Sequence, residues 1–271
     1  MEADFDRYLD YERQIHDGEL PKTKKIRAER VVKLPPNTFI NADCMHYLTK
    51  CPDNYFDLAI VDPQYGIGAS KPSKKPETVL QKNGNRLRVE NNKHKHKDWD
   101  LEKMPLEYFT ELKRVSKHQI IWGENYYGIF AGGRIIWDKL NGESDQYDCE
   151  IAYCSINNRT DIIYYLWQGM FQGVYCGKNI LKAMEQQGNK KENEERIHPT
   201  QKPVKLYKYL LREYAKRGDL ILDTHVGSAS SLVACKELGF DYVGFEIDKD
   251  YFEQATKRLE RAFRKYELEF E

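Results

Sequence analysis

The sequence predicts an α/β protein with a mixed, mostly parallel β-sheet and helices on both of its faces. Two observations lead to this fold class. Short apolar runs recur along the chain, as the strands of a buried sheet do. Longer stretches with apolar side chains at helical spacing separate several of these runs, and that alternation is typical of parallel βαβ units.

The predicted elements follow in chain order. The apolar runs predict strands at residues 38–42, 57–61, 119–122, 134–137, 150–153, 161–166, 220–222 and 242–247. Helices are predicted at residues 4–16, 105–115, 204–216, 230–238 and 251–263. In such a sheet a ligand binds at the carboxyl ends of the strands, so we expect the functional residues there.

Length and composition limit the domain organisation. A chain of 271 residues accommodates one large domain, because single cores stop growing near ~250–300 residues. Its 40% apolar content is that of a globular protein and excludes a disordered or fibrous one. We therefore expect a charged amino-terminal arm at residues 1–30 and a single domain at residues 31–271.

Other features predict a cytoplasmic protein. The sequence has no run of 18 apolar residues, and its first residues form neither a basic nor an apolar signal segment, so we expect no membrane association and no secretion. The six cysteines include no Cys-x-x-Cys pair. We therefore expect reduced thiols and no metal site.

The charges are balanced overall but unevenly distributed. The chain contains 43 basic and 43 acidic residues, so net charge alone does not indicate a nucleic-acid partner. Residues 71–97, however, contain nine lysines or arginines and only two acids, Glu77 and Glu90. We interpret this stretch as a mobile basic loop that contacts a phosphate backbone, with a solvated linker as the alternative.

The first candidate loop, residues 62–68, follows a predicted strand and begins Asp62-Pro63-Gln64-Tyr65. A carboxylate and a proline carbonyl can accept the hydrogens of a planar amine while an aromatic ring stacks on its face. An ordinary strand-ending turn uses the same residue types, so this loop alone decides nothing.

Two further loops predict a nucleoside site. The strand at residues 220–222 leads into a turn that contains Gly227, where backbone N–H groups can face an anionic ligand. Glu246 ends the next strand 19 residues later. An acid at a spacing of ~20 residues accepts both hydroxyls of a ribose in nucleotide-binding folds. A βα turn capped by serine is the alternative for the first of these loops.

With these loops in place, the chain resembles the amino-DNA methyltransferases, which transfer a methyl group from S-adenosylmethionine to adenine N6 or cytosine N4. It is most similar to their circularly permuted class, in which an Asp-Pro-Pro-Tyr loop precedes the cofactor loop, and to phage and mobile-element members. The resemblance covers about residues 38–263. It depends on the order of several segments, at residues 41–44, 51–58, 62–68, 121–127, 137–139, 198–204, 223–231 and 244–248.

The resemblance implies a Rossmann-like methyltransferase fold and a set of site residues. The catalytic residues would be Asp62, Pro63, Gln64 and Tyr65. The cofactor, S-adenosylmethionine, would be bound by Asp43, Lys202, Asp223, His225, Gly227, Ser228 and Glu246. Among these, Glu246 would take the ribose hydroxyls and Asp43 the adenine amine.

This chain departs from the family pattern at two places. Gln64 stands where a second proline is usual and adds an amide. The cofactor loop, usually Asp-Pro-Phe-x-Gly-Ser-Gly, is here Asp223-Thr224-His225-Val226-Gly227-Ser228-Ala229. His225 therefore replaces an aromatic residue, and Ala229 adds a methyl group where backbone and cofactor approach each other. A homologue that binds cofactor and DNA without turnover is one alternative.

The implied reaction requires double-stranded DNA as partner and a flipped target base, on which Tyr65 would stack. Sequence recognition would come from an inserted target-recognition region at about residues 155–196, which mixes aromatic and basic side chains. Adenine N6 is the first choice of target because aspartate at position 62 is commoner in the adenine enzymes. Cytosine N4, an RNA base and a protein glutamine amide remain alternatives, whereas the single-glycine turn speaks against a dehydrogenase. A homodimer and a separate nuclease partner are left open.

Overall fold

A computed structural model describes residues 31–68, 78–80, 85–88, 97, 99–142, 147–168 and 171–268. The expected arm at residues 1–30, with its predicted helix, lies outside the described residues. So does most of the basic stretch 71–97.

The described residues form twelve strands. In chain order they are β1 (Thr38–Asn41), β2 (Phe56–Val61), β3 (Thr78–Leu80), β4 (Arg86–Arg88), β5 (Ser116–Trp122), β6 (Gly133–Asp138), β7 (Cys149–Cys154), β8 (Thr160–Tyr164), β9 (Trp167–Gln168), β10 (Phe171–Gln172), β11 (Leu220–Asp223) and β12 (Asp241–Glu246). Eight of them build one sheet in the order β1-β12-β11-β2-β5-β7-β6-β8. Each of these eight overlaps a strand predicted from an apolar run.

The sheet is mixed and mostly parallel, as predicted. Five adjacent strands, β1, β12, β11, β2 and β5, run parallel to one another, and β8 is parallel to β6. Only β7 runs antiparallel, between β5 and β6. The remaining short strands form two separate antiparallel pairs, β3 with β4 inside the basic stretch and β9 with β10 inside the insert. The sequence did not predict these four strands.

Seven α-helices occur in the described part of the chain: α1 (Met45–Leu48), α2 (Leu106–Val115), α3 (Glu124–Tyr127), α4 (Ile180–Ala183), α5 (Val204–Tyr214), α6 (Ser230–Leu238) and α7 (Lys249–Leu268). The four longer ones confirm the predicted helices. The three four-residue helices are too short to leave a periodic signal in the sequence. None of the described helices is long and apolar enough to cross a bilayer.

Two apolar cores lie on opposite faces of the sheet. One contains the apolar sides of α5, α6 and α7, with Leu206, Leu232 and Leu259 among its buried residues. The other contains α1 and α2, with Leu48 and Leu112. The sheet is therefore covered on both faces, and the site can form only at its edges.

Sheet order determines which loops meet. Strands β2 and β11 are neighbours and pair Leu58 with Ile221, although about 160 residues separate them in the chain. Because β1, β12, β11 and β2 are parallel, their carboxyl ends lie at one edge of the sheet. The loops that contain the expected catalytic and cofactor residues start at these ends.

Candidate active site

A single cleft at this edge receives residues from both kinds of loop. It encloses about 620 Å³, including the part that is open to solvent. Of the residues expected from the sequence, the cleft is lined by Asp62, Gln64, Lys202, His225, Gly227, Ser228 and Glu246.

A buried ion pair holds the catalytic loop. Asp62 follows β2 directly, and its Oδ2 lies 2.5 Å from Nζ of Lys202. Its Oδ1 accepts a hydrogen bond from the hydroxyl of Tyr65. The Lys202 side chain is only 2% exposed, so its charge is removed from water and depends on its partners. The structure therefore places Lys202, expected at the cofactor, against Asp62.

The second partner of Lys202 was not expected from the sequence. Glu150, on β7, lies 2.9 Å from the Lys202 ammonium and 2.7 Å from that of Lys139. Lysine and carboxylate groups thus alternate along a chain of four charges that ends at Asp62. The net charge of this group is zero, which is the condition for burying it at acceptable cost.

The pKa values follow from this arrangement. Burial would raise the pKa of Glu150, but Lys202 and Lys139 hold it at about 2. Burial raises the pKa of Asp62, an effect that Lys202 opposes. The two carboxylates raise the pKa of Lys202 against the effect of its burial. Lys202 and Glu150 are therefore ionised at neutral pH.

Tyr126 and Asp100 fix the position of Tyr65. Its ring stacks on that of Tyr126, with the ring centres 4.8 Å apart. The buried carboxylate of Asp100 accepts the backbone N–H groups of Tyr65 and Gly66, each at 2.8 Å. Asp100 was missed in the sequence because it follows a polar stretch with no strand before it. Its position defines the shape of the catalytic loop.

Gly123 makes room for the Tyr65 ring. A Cβ atom at this position would lie 2.0 Å from Cε1 of Tyr65, and the backbone has a left-handed φ of +74°. Gly128, at the other end of α3, has a similar φ of +64° but open space around it.

Glu246 is placed for the expected ribose contact. Its buried carboxylate accepts the N–H groups of Gly227 and Asp248, each at 2.8 Å. A carboxylate offers about four acceptor positions, so two remain for ligand hydroxyls. Gly227 adopts the left-handed region with a φ of +53° beside it. These residues fit an adenosine-bearing cofactor.

Ala229 takes the backbone conformation of the glycine it replaces. Its φ is +63°, and it directly precedes helix α6. The residue is fully buried in the core and does not line the cleft. The methyl group therefore lies beneath the loop and does not narrow the cleft, contrary to expectation.

Asp223 is buried beneath the cleft, whereas His225 is part of its lining. The Asp223 carboxylate accepts the N–H of His225 at 3.0 Å and the hydroxyl of Ser231, and it does not line the cleft. Burial raises the pKa of Asp223 to about 7 and lowers that of His225 to about 4. His225 is therefore neutral at physiological pH.

Arg258, on α7, is a second residue that sequence reasoning missed. Its guanidinium donates to the carbonyl of Ser228 at 2.6 Å and to the hydroxyl of Ser230 at 2.9 Å. It also pairs with Glu194 at the end of the insert. One arginine thus connects the cofactor loop to the insert, but on a charged amphipathic helix it looks like any solvent-facing residue.

Asp43 lies at the same sheet edge but outside the cleft lining. It follows β1, whose Asn41 pairs with Glu246, and its Oδ1 accepts the N–H of Met45 at 2.9 Å. It is close enough to His225 to raise that residue's pKa against burial. Asp43 is therefore near the expected cofactor site, and its contact with the adenine amine stays a prediction.

The expected recognition region divides into core and surface. Tyr165 and Trp167 are buried, whereas Phe171 is exposed. The guanidinium of Arg196 lies 4.5 Å from the centre of the Trp167 ring. Lys178 is half exposed and pairs with Asp161 at 2.7 Å.

Lys97 is the part of the basic stretch whose side chain is described. Its ammonium pairs with Asp248 and lies 3.1 Å from Asp250. It is also 4.3 Å from the centre of the Tyr251 ring. Lys97 therefore pairs with acids beside the cleft, and the expected contact of the basic stretch with a phosphate backbone stays a prediction.

Comparison with known proteins establishes the family. A family model described as DNA methylase (N6_N4_Mtase) matches residues 69–257, which is most of the chain. The chain belongs to this family. S-Adenosylmethionine is therefore its cofactor, as expected, and its activity is that of a DNA methyltransferase. The family includes both N6 and N4 enzymes, so membership does not decide the target base.

Individual relatives agree with this assignment. The type II methyltransferase M2.DpnII of Streptococcus pneumoniae is 24% identical over 256 residues, which cover 82% of this chain and 88% of that protein. M.HpaI of Haemophilus parainfluenzae is 41% identical over 66 residues, 24% of this chain and 21% of that protein. The crystal structure of the M1.HpyAVI–SAM complex has 20% sequence identity, covers 82% of this chain and 98% of its own, and shares the fold with a TM-score of 0.50.

The contact between Gly123 and Tyr65 predicts an asymmetry between two glycine substitutions. Gly123→Ala and Gly128→Ala impose similar backbone strain, about 1–2 kcal/mol, but only Gly123→Ala displaces the Tyr65 ring. We expect both variants to unfold at lower temperature and only Gly123→Ala to lose most methylation activity per folded molecule. Equal specific activity of the two variants would contradict the role of this contact.

The charge chain predicts a large stability loss for Lys202→Met. Removing the cation leaves two carboxylates without it, and such changes cost about 3–5 kcal/mol. Lys208→Met, on the following helix α5, breaks only a partly exposed pair with Glu237 and is expected to cost less than about 1 kcal/mol. Urea unfolding of both variants measures the difference, and a similar loss in each would show that the buried network does not stabilise the fold.

The pKa of Asp223 predicts a stability that falls as pH rises. In the unfolded chain the group ionises near ~3.9, whereas in the folded protein it ionises at about 7. Between these values the unfolded state releases the proton and the folded state retains it, so ionisation favours unfolding. Asp223→Asn removes this effect. We expect its melting temperature to rise relative to the unsubstituted chain between pH 5 and pH 8, and a pH-independent difference would contradict the raised pKa.

Proposed function

We propose that this protein methylates the exocyclic N6 amine of a flipped adenine in duplex DNA at a specific sequence. One observation carries the proposal: Asp62, suited to an amine, and Glu246, suited to a ribose, line the same cleft. A methyl donor at Glu246 and a base at Asp62 would therefore be neighbours. Such proximity is the main requirement for an in-line displacement.

The catalytic loop supplies acceptors for the amine. Oδ1 of Asp62 and the carbonyl oxygen of Pro63 accept the two amine hydrogens, which directs the nitrogen lone pair toward the methyl group. S-Adenosylmethionine would supply that methyl group: its S–CH3 bond would break as the N–CH3 bond forms, S-adenosylhomocysteine would leave as a neutral thioether, and the methylated nitrogen would lose its extra proton to water. Oδ1 also accepts the hydroxyl of Tyr65, so this hydroxyl gives way to the amine. Lys202 stays on Oδ2 and keeps the carboxylate ionised.

The flipped base is bound by stacking. The Tyr65 ring stacks on that of Tyr126, and a planar base would use the same kind of contact with Tyr65. Gln64 lines the cleft and adds an amide that can contact the edge of the base. Flipping costs a few kcal/mol, which these contacts offset.

Adenine is preferred over cytosine because aspartate begins the catalytic loop, which is the commoner choice among adenine enzymes. The same contacts would serve a cytosine N4 amine, so cytosine is the alternative. Duplex DNA is the proposed partner because the insert exposes cations such as Lys190 and Lys191. The proposed target-recognition region is residues 155–196.

Methylation mapping tests the proposal. Plasmid DNA from a methylase-free host that expresses this chain would be sequenced by a single-molecule method that detects modified bases. We expect N6-methyladenine in one short motif and none with Asp62→Ala. Asp53→Ala is the matched control, because Asp53 is an exposed aspartate before the opposite end of β2 whose pair with Arg114 contributes little.

Each outcome has a definite meaning. N4-methylcytosine in a motif would replace adenine by cytosine and leave the assigned residues in place. Unmodified DNA from a folded protein that binds S-adenosylmethionine would overturn the proposed reaction. Equal methylation by Asp62→Ala would overturn the assignment of the catalytic loop.

A further inference from the structure

A chain of three polar side chains connects helix α2 to the cofactor loop. The hydroxyl oxygen of Tyr108 lies 2.6 Å from Oγ1 of Thr224, and that atom lies 2.9 Å from Nδ1 of His225. Tyr108 is fully buried and Thr224 is 3% exposed, whereas His225 lines the cleft. These hydrogen bonds thus connect the core to the cleft.

The donors in this chain can be assigned. Among the described residues, Thr224 is the one acceptor that the buried Tyr108 hydroxyl contacts. An unpaired buried hydroxyl hydrogen is costly, so Tyr108 donates to Thr224. The hydrogen of Thr224 is then directed to Nδ1 of His225, which must present a lone pair. A neutral imidazole with an unprotonated Nδ1 has its hydrogen on Nε2.

Two facts about the site give this tautomer a consequence. Burial lowers the pKa of His225 to about 4, so the ring is neutral and has one N–H to donate. The described residues provide no hydrogen-bond partner for Nε2. Since His225 lines the cleft, its Nε2–H group is available to a ligand there.

We infer that Tyr108 and Thr224 are positioning residues that hold His225 as the Nε2–H tautomer, and that His225 donates this hydrogen to an acceptor atom of the bound cofactor. The acceptor is either a nucleoside atom or the amino-acid carboxylate. This inference rests on the proposed cofactor site in the same cleft. The Thr224-His225 pair therefore adds a directional contact that an apolar aromatic residue at position 225 cannot make.

The tautomer is tested without ligand. ¹⁵N NMR of the histidine-labelled protein distinguishes protonated from unprotonated ring nitrogens, and His225→Phe identifies the signals of His225. We expect an unprotonated Nδ1 and a protonated Nε2 in the unsubstituted chain and in Thr224→Ser, which keeps the hydroxyl. Thr224→Val and Tyr108→Phe are expected to give a mixture of tautomers. A hydrogen on Nδ1 in the unsubstituted chain would overturn the inference.

Calorimetry with S-adenosylhomocysteine tests the contact itself. This ligand lacks the reactive methyl group, so binding is measured apart from activity. Loss of one neutral hydrogen bond predicts about 3- to 10-fold weaker binding by His225→Phe and, through the tautomer, a smaller loss in Thr224→Val. Thr224→Ser is expected to bind like the unsubstituted chain. Unchanged affinity in His225→Phe would overturn the donor role.

A truncated ligand locates the acceptor and separates two kinds of failure. 5′-Methylthioadenosine has no amino-acid group, so an equal loss for both ligands in His225→Phe indicates a nucleoside acceptor. A loss for S-adenosylhomocysteine alone indicates the carboxylate. If the unsubstituted chain bound neither ligand, the cofactor site and the donor role would both be wrong, whereas tight binding with no effect of His225→Phe would overturn the donor role alone.

Discussion

The site depends first on the ammonium group of Lys202. It is buried between the carboxylates of Asp62 and Glu150, and so it joins the end of β2, the start of β7 and the segment before α5. The group of Lys139, Glu150, Lys202 and Asp62 is neutral only with both carboxylates in place, so losing either one would leave an uncompensated buried charge. This requirement fixes where the catalytic loop lies relative to the sheet.

The cofactor side is organised by carboxylates that bind the chain's own backbone. Glu246 accepts two N–H groups and Asp223 accepts one, so the loop between them has its shape before a ligand binds. Ala229 contributes to this shape at some cost, since it adopts a left-handed φ without being glycine. Arg258 completes it by holding the carbonyl of Ser228. Preorganisation of this kind lowers the ordering cost of binding.

The two sides are linked through the insert. Glu194 accepts hydrogen bonds from the side chain of Gln201 and from the N–H of Val204, and it pairs with Arg258. Gln201 directly precedes Lys202, so one carboxylate connects the ion-pair segment, the end of the insert and helix α7.

The sequence by itself determined the sheet, the longer helices and seven of the sixteen residues that line the cleft. Each of these leaves a local signal. Apolar runs indicate buried strands, helical spacing indicates amphipathic helices, and an acidic residue at the end of a strand indicates Asp62 and Glu246. Four short strands and three short helices left none, because two to four residues are too few to show a period.

Only the tertiary structure decided which charges meet. Glu150, Asp100 and Arg258 are ordinary polar residues in the sequence, and they became site residues because β7, the catalytic loop and α7 converge at one edge. Lys202 pairs with Asp62 for the same reason, and its contact with the cofactor stays a prediction. Local spacing carries the periods of strands and helices, but ion pairs between residues far apart in the chain depend on the order in which the strands assemble.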